Sequence, residues 1–124
     1  MLGVLLISLV GCSVVENPID LYGHYRMSLG NKSFALDLRR DGTYTETVTI
    51  SQGRVRTTSN KWILRGSCTN FGSFLVPKES TPFGTPDADG LVQSEWCLGP
   101  EKHFGKIVLI LNPDRPGQFE MDRK

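Results

Sequence analysis

The sequence predicts an all-β protein, an antiparallel up-and-down meander of about eight short strands closing into a small barrel, with a β-sandwich as the alternative. Three observations support this. After residue 20, no stretch carries an apolar repeat of helical period. Apolar and polar side chains alternate with period two in successive short runs. Brief turns separate the early runs, and Asp41 followed by Gly42 is a strong hairpin signal.

The first three predicted strands show the alternation most clearly. Their inward faces are formed by Leu21, Gly23, Tyr25, Met27 and Leu29; by Phe34, Leu36 and Leu38; and by Tyr44, Glu46, Val48 and Ile50. A row of threonines faces the other way on the third strand, which predicts that this row is exposed to solvent.

The rest of the chain predicts further strands and one long loop. Trp62 and Leu64 continue a strand that Gly66 ends, and residues 77–90 read as loop because proline, glycine and small polar residues dominate there. The remaining strands are predicted over 71–76, 91–98, 106–111 and 118–122. Residues 107–111 are apolar on both faces, which indicates the most buried strand.

The N-terminal segment has a different character. Residues 1–11 contain no charged side chain and are too few to span a bilayer as a helix, which takes about 20 residues. They match the apolar core of a secretory signal. The alternative is a buried N-terminal strand with a core cysteine.

Leu9, Val10, Gly11 and Cys12 resemble the lipobox of bacterial lipoproteins. The resemblance implies a signal peptide over 1–11 and a diacylglycerol thioether on Cys12, the new N-terminus. Two or more acyl chains give stable anchoring. Ser13 in place of aspartate implies sorting to the outer membrane, facing the periplasm. Residues 12–20 would then be the lipidated cysteine with its tether, and 21–124 the domain.

The body resembles the lipocalin-like (calycin) domains of small bacterial lipoproteins. The resemblance rests on a Gly-x-aromatic opening, a Leu-x-Leu strand, an Asp-Gly-Thr-Tyr turn and a Trp-x-Leu strand, which are Gly23 with Tyr25, Leu36 with Leu38, Asp41 to Tyr44, and Trp62 with Leu64. The family usually has tryptophan where this chain has Tyr25. It implies a barrel that holds an apolar ligand inside.

Cys68 and Cys97 are an even pair in an exported domain, which predicts a disulfide. Their separation of 29 residues gives a chain-entropy stabilisation of roughly 3–4 kcal/mol. We expect the bridge to tie down the base of the 77–90 loop. A thiolate metal site is not predicted, since there is no Cys-x-x-Cys and both His24 and His103 are distant in sequence.

Asp87, Ala88, Asp89 and Gly90 match the middle of a calcium-binding loop. Thr85 and Trp96, however, occupy the positions where such a loop needs its first aspartate and its bidentate glutamate. The sequence therefore predicts a plain aspartate–glycine turn, with no metal and no cofactor.

Glu46 is the candidate site residue in the predicted interior, together with Tyr44. A carboxyl group on an inward face must be paired or functional. Its partner could be a tyrosine hydroxyl or an arginine. Two alternatives stay open: a wet barrel mouth, or a one-residue bulge that turns the side chain outward.

Charge is unevenly distributed. Residues 12–66 carry 8 basic and 5 acidic side chains, net +3, and residues 67–124 carry 6 and 8, net −2. Arg39, Arg40, Arg54 and Arg56 lie near two successive turns, which suggests a cluster at one end for an acidic partner. The alternative is solvated charge that protects strand edges. Basic residues are too few for nucleic-acid binding.

No nucleophile elbow, phosphate loop or dinucleotide glycine pattern is present. The favoured function is a lipid-anchored, non-catalytic binding module for a small apolar ligand or a protein, with Glu46, Tyr44, Arg54 and Arg56 as candidate contact residues. If large inward residues fill the barrel, binding moves to the rim and the 77–90 loop. The alternative is an inhibitor or immunity lipoprotein that blocks an envelope-targeted enzyme.

Overall fold

The computed structural model of the chain describes residues 12–14, 17, 21–66, 68–104, 106–111 and 120–123. The predicted signal segment, most of the tether and the start of the last predicted strand lie outside the described residues. The described chain is all β, with nine strands and two single 3₁₀ turns, at Ser51–Gly53 and Lys78–Ser80. The strands are β1 (Cys12–Val14), β2 (Gly23–Leu29), β3 (Lys32–Leu38), β4 (Thr43–Thr49), β5 (Val55–Arg65), β6 (Cys68–Pro77), β7 (Leu91–His103), β8 (Lys106–Ile110) and β9 (Glu120–Arg123).

The strands form one antiparallel meander that curls into a nearly closed barrel, as the sequence predicts. Each strand from β2 to β7 pairs with the next, and β9 connects β2 to β8. β8 also pairs with β7, so the series of paired strands that runs from β7 through β2 and β9 to β8 closes on itself. Closure covers strand edges that would otherwise pair with other chains.

The predicted alternation is confirmed in β2, β3 and β4. The inward side chains Tyr25, Phe34, Leu36, Tyr44 and Val48 are almost completely buried. The side chains between them on β2 are exposed, and most threonines of β4 are half-buried. Residues 107–111 are buried on both faces. The barrel interior is therefore occupied by large side chains that the period-two pattern identifies.

Two features at the C-terminal end of β7 differ from expectation. β7 continues to His103, five residues beyond the predicted end, because its second half pairs with β8 after its first half pairs with β6. Residues 12–14, predicted as tether, form β1 against residues 101–103 of β7. Because β6 begins at Cys68, it does not extend alongside residues 101–103 of β7. β1 pairs with the edge of β7 that is left uncovered there.

The predicted disulfide joins Cys68 on β6 to Cys97 on β7, with 5.5 Å between their Cα atoms. The expectation that this bridge ties down the base of the 77–90 loop was wrong. The 77–90 loop leaves the hairpin where Pro77 pairs with Leu91, at the end of the hairpin far from Cys68. The bridge fixes the opposite end, because both cysteines lie beside the turn between β5 and β6.

Successive connections of an antiparallel meander lie at alternate ends of the barrel. We call the end with the β2–β3, β4–β5 and β6–β7 connections the loop end, since it carries the 78–90 loop. We call the other end, with the β3–β4, β5–β6 and β7–β8 connections, the basic end. Five basic side chains lie in and beside those three connections, against Asp41 and Glu101; they are Arg39, Arg40, Arg65, Lys102 and Lys106.

Candidate functional site at the seam and the loop end

Among the described strands, β5 and β6 run side by side for part of their length without being joined by a ladder. β5 pairs with β4 over residues 55–61 and with β6 only over 62–65, which face 68–71. Residues 55–61 of β5 and 72–77 of β6 therefore face each other without ladder pairing, and we call this stretch the seam. Almost every β5 side chain along it is exposed or half-buried. The sheet is open here, and side chains must supply what the ladder does not.

The seam begins at a break in the alternation of β6. Phe71 and Phe74 are both buried although they are three residues apart, and the register against β7 shifts between them. Their rings stack with centroids 4.7 Å apart. Gly72 lies between them, and a Cβ there would be 3.0 Å from the Asn60 side-chain amide of β5. This bulge bends β6 away from β5.

Tyr44 joins β4 to the bent part of β6 across the barrel interior. Its hydroxyl donates to the Ser73 carbonyl oxygen and accepts from the Ser73 N–H, with 3.1 Å between nitrogen and oxygen. Its ring packs edge-on against Phe71. One side chain thus satisfies both backbone groups that Ser73 would otherwise offer to a neighbouring strand.

Glu46 repeats this arrangement two residues along β4. The Leu75 N–H donates to Glu46 Oε1 at 2.8 Å, and the Glu46 side chain is completely buried. Burial raises the pKa of Glu46 to about 8, against the lowering effects of the Leu75 hydrogen bond and the Arg56 charge. The group is therefore mainly a neutral carboxylic acid at pH 7.

Among the described residues, the hydrogen-bond partner of Glu46 is the Leu75 backbone amide and not the tyrosine hydroxyl or the arginine that the sequence suggests, although the Arg56 charge acts on its pKa. The alternatives of a wet mouth and a one-residue slip also do not apply. Glu46 is buried, and β4 stays in unbroken register with β3 and β5. The residue lies inward as the alternation predicts, and the bulge in β6 supplies its partner.

At the loop end, the seam is bridged by ion pairs. Arg56 Nη1 lies 2.5 Å from Asp87 Oδ2 and 3.1 Å from Asp89 Oδ2, and Arg54 also pairs with Asp89. Arg56 lies at the start of β5 and Arg54 immediately precedes that strand, whereas the two aspartates lie in the loop after β6. Two of the predicted partner-binding arginines are thus already bound within the chain.

Residues 87–90, which we call the acidic turn, form a turn as the sequence predicts. Asp87 Oδ1 accepts from the backbone N–H groups of Asp89 and Leu91, which closes the turn. Burial opposes ionisation of Asp87, yet the hydrogen bonds from Arg56, Leu91 and Asp89 hold its pKa below the ordinary value. The hydrogen bond from Arg54 does most to lower the pKa of Asp89. Both carboxylates are therefore ionised and paired at neutral pH.

The four arginines do not form the cluster suggested by the sequence. The turns before and after β4 lie at opposite ends of that strand, so Arg39 and Arg40 are at the basic end. Arg39 donates to Asp37, Thr43 and Thr45, and Arg40 lies over the Tyr22 ring at 5.3 Å.

The 78–90 loop is braced on both sides and still presents an aromatic ring. Phe83 is 75% exposed, although its N–H donates to Oγ1 of the buried Thr81 at 3.0 Å. Lys78 Nζ donates to the Gly84 carbonyl oxygen. Gly84 has a φ of +85°, and a Cβ there would lie 2.5 Å from Val92 on β7. Only glycine fits this close approach, which fixes the backbone beside Phe83.

Two surface pockets accompany these elements. A pocket of about 580 Å³ lies at the basic end of the seam, between the Asp41–Gly42 turn and a wall that includes Trp62, Ile63 and Phe71. A smaller pocket of about 270 Å³ lies on the outer face of β2, β3 and β4 and includes His24 and Asp37. Within the described residues, no group of three or more His, Cys, Asp or Glu side chains is arranged to hold a metal ion.

Comparison of the chain with protein-family models, with curated proteins and with solved structures finds no match. The part of the chain that the structure describes contains no helix of the length and apolarity needed to cross a membrane.

Sequence reasoning brought Tyr44 and Glu46 together but missed Ser73, Leu75, the paired aspartates and Phe83. Part of the missing information is visible in the sequence. Phe71 and Phe74 stand at a spacing that breaks period two, with Gly72 between them, which is the pattern of a bulge. The ion pairs join residues more than 30 positions apart, and no local pattern predicts them.

Proposed function

We propose that this chain is a non-catalytic protein-binding module, held at a membrane by a lipid on Cys12, whose 78–90 loop presents Phe83 to the partner. The exposed ring of Phe83 on a braced loop carries this proposal. Aromatic side chains are enriched at protein interfaces, and an anchor held in place before binding loses less conformational entropy.

Three further observations support a non-catalytic surface site at the loop end. Tyr25, Met27, Phe34 and Trp62, which alternation places inside the barrel, are all buried and occupy the interior. Glu46 is turned to the β6 backbone and has no exposure to solvent, which fits poorly with a catalytic role. The loop end is opposite to the end where β1 begins with Cys12, so a lipid on Cys12 would leave the loop facing away from the membrane.

The test is affinity capture from an envelope extract with the full chain carrying Cys12→Ser, which removes the proposed lipid. Phe83→Ser removes the anchor, and Phe104→Gly is the matched control because Phe104 is also exposed but lies at the basic end. We expect a partner retained by the parent and by Phe104→Gly, and weakened at least about tenfold by Phe83→Ser. Equal capture by all three proteins would contradict the proposal.

The braced loop also favours the inhibitor alternative, because a rigid loop with one protruding side chain suits insertion into an enzyme cleft. A captured partner that is an enzyme is assayed with increasing amounts of each variant. Inhibition by the parent that Phe83→Ser abolishes supports the inhibitor function. Binding without any change in activity supports the simple binding module.

A further inference from the structure

The hairpin between β7 and β8 presents the most exposed large apolar side chain among those described. Phe104 is 85% exposed and lies at the tip, where β7 ends at His103 and β8 begins at Lys106. Its φ is +50°, in the left-handed region that glycine adopts freely and bulky side chains avoid. An aromatic residue kept in such a conformation, with its ring in water, points to a function for the exposed ring.

The surroundings of Phe104 are basic. Lys102 and Lys106 flank it and are both exposed. Among the described residues, neither takes part in an ion pair or a side-chain hydrogen bond. Arg65, the last residue of β5 at the same end of the barrel, is also exposed. An apolar ring between exposed lysines favours binding to an anionic lipid surface. The ring enters the boundary of the acyl chains, and the ammonium groups contact the phosphates.

The backbone register places Cys12 beside this hairpin. Cys12 pairs with His103, the residue immediately before Phe104. An acyl chain on Cys12 would enter the membrane at the basic end, so Phe104 would be held close to the same surface. A second contact near the lipid would set the orientation of the barrel, which a single point of attachment cannot do.

We infer that the Phe104 hairpin is a membrane-contact site that inserts its ring into an anionic lipid surface and orients the barrel with its loop end outward. The inferred orientation rests on the proposed lipidation of Cys12. The lipid affinity of the hairpin itself does not depend on that lipidation.

The first experiment is vesicle flotation of the full chain carrying Cys12→Ser, with phosphatidylglycerol-containing and with pure phosphatidylcholine vesicles. We expect binding to the anionic vesicles only, reduced at least about tenfold by Phe104→Gly, because the variant removes the apolar ring that would be buried in the lipid. Phe83→Ser is the matched control and should bind as the parent does. Binding that does not depend on Phe104, or no binding to anionic vesicles, overturns the inference.

Phe104→Gly also separates a lipid contact from a structural role. Glycine suits a positive φ, so this variant should be at least as stable as the parent in urea while it loses vesicle binding. A variant that is less stable, with the loss of binding tracking the loss of fold, contradicts the inference.

The second experiment tests the orientation in the acylated protein. Phe104→Trp and Phe83→Trp are reconstituted in vesicles of brominated phospholipid, and quenching is measured as a difference from the parent. We expect quenching for Phe104→Trp alone. If mass spectrometry finds no acyl group on Cys12 while Phe104-dependent flotation persists, the anchor proposal fails and the lipid contact stands. If acylated protein is bound and neither variant is quenched, the inference fails and the anchor stands.

Discussion

The two sides of the barrel are closed by different means. We call the side formed by β2, β3 and β4 the ladder side. There, residues 23–29 pair with 32–38, and residues 33–38 pair with 44–49, without interruption. At the seam, the β5–β6 ladder ends after Trp62 and Phe71. Beyond that point, Tyr44, Glu46 and the arginine–aspartate pairs connect the β6–β7 hairpin to the rest of the barrel.

Because the two sides are closed by different interactions, they should respond differently to pH and salt. Ladder hydrogen bonds do not titrate over the ordinary pH range. The seam instead depends on a carboxyl group that must stay neutral and on ion pairs that must stay charged. Acid weakens the ion pairs, alkali charges Glu46, and salt screens the exposed pairs. Solution conditions should therefore act on the seam before they act on the ladder side.

The largest expected effect is the pH dependence of Glu46. Its pKa is raised from 4.5 to about 8 on folding, so the folded state holds a proton that the unfolded state releases. The free energy of unfolding should therefore fall as pH rises through this window, by at most about 5 kcal/mol. Glu46→Gln keeps an acceptor for the Leu75 N–H and cannot ionise. It should match the parent near pH 4.5 and exceed it increasingly up to pH 8.5.

Urea unfolding at several pH values measures this difference. Glu79→Gln is the matched control, since Glu79 is an exposed carboxylate in the 3₁₀ turn after β6. The control should follow the parent at every pH. A Glu46→Gln curve parallel to that of the parent would mean that Glu46 does not link the seam to pH.

The next effect compares one tyrosine on each side. Tyr44→Phe leaves both the N–H and the carbonyl of Ser73 without their partner, and we expect a loss of about 1–3 kcal/mol. Tyr25 lies on the ladder side, and its hydroxyl donates to the Leu21 carbonyl oxygen at 2.7 Å. Tyr25→Phe removes the donor to Leu21 and should cost about 0.5–1.5 kcal/mol. Equal losses in urea unfolding would contradict the special role of Tyr44 at the seam.

The ladder side could be predicted from sequence because its physics is local. Tyr25, Phe34 and Val48 each belong to a run in which apolar and polar side chains alternate. That alternation alone assigns them to the interior. The seam could not be predicted in the same way. The polar start of β5 shows no apolar alternation, and the partner of Glu46 is a backbone amide whose position depends on a bulge in another strand. Backbone amides leave no signature in a sequence, so tertiary geometry had to supply them.

The smallest effect on overall stability should come from the ion pairs at the loop end. Arg54 and Arg56 are partly exposed, and exposed pairs contribute little to global unfolding. Arg56→Gln should instead release the acidic turn locally. We expect faster amide hydrogen exchange at Asp89, Gly90 and Leu91, with little change in the urea midpoint. Arg40→Gln, which alters a basic residue at the opposite end, is the control and should leave these amides unchanged.

The same exchange experiment has a defined pH response. The arginines, together with the Leu91 and Asp89 N–H groups in the case of Asp87, hold the pKa values of Asp87 and Asp89 below 3.8. The bracing is therefore fully present above that value and is lost as pH falls through the lower folded values. Acid should therefore reproduce in the parent the exchange pattern that Arg56→Gln shows at neutral pH. If the turn stays protected in both cases, its own backbone hydrogen bonds and the close packing of Gly84 on Val92 hold the loop, and the ion pairs act only on its charge.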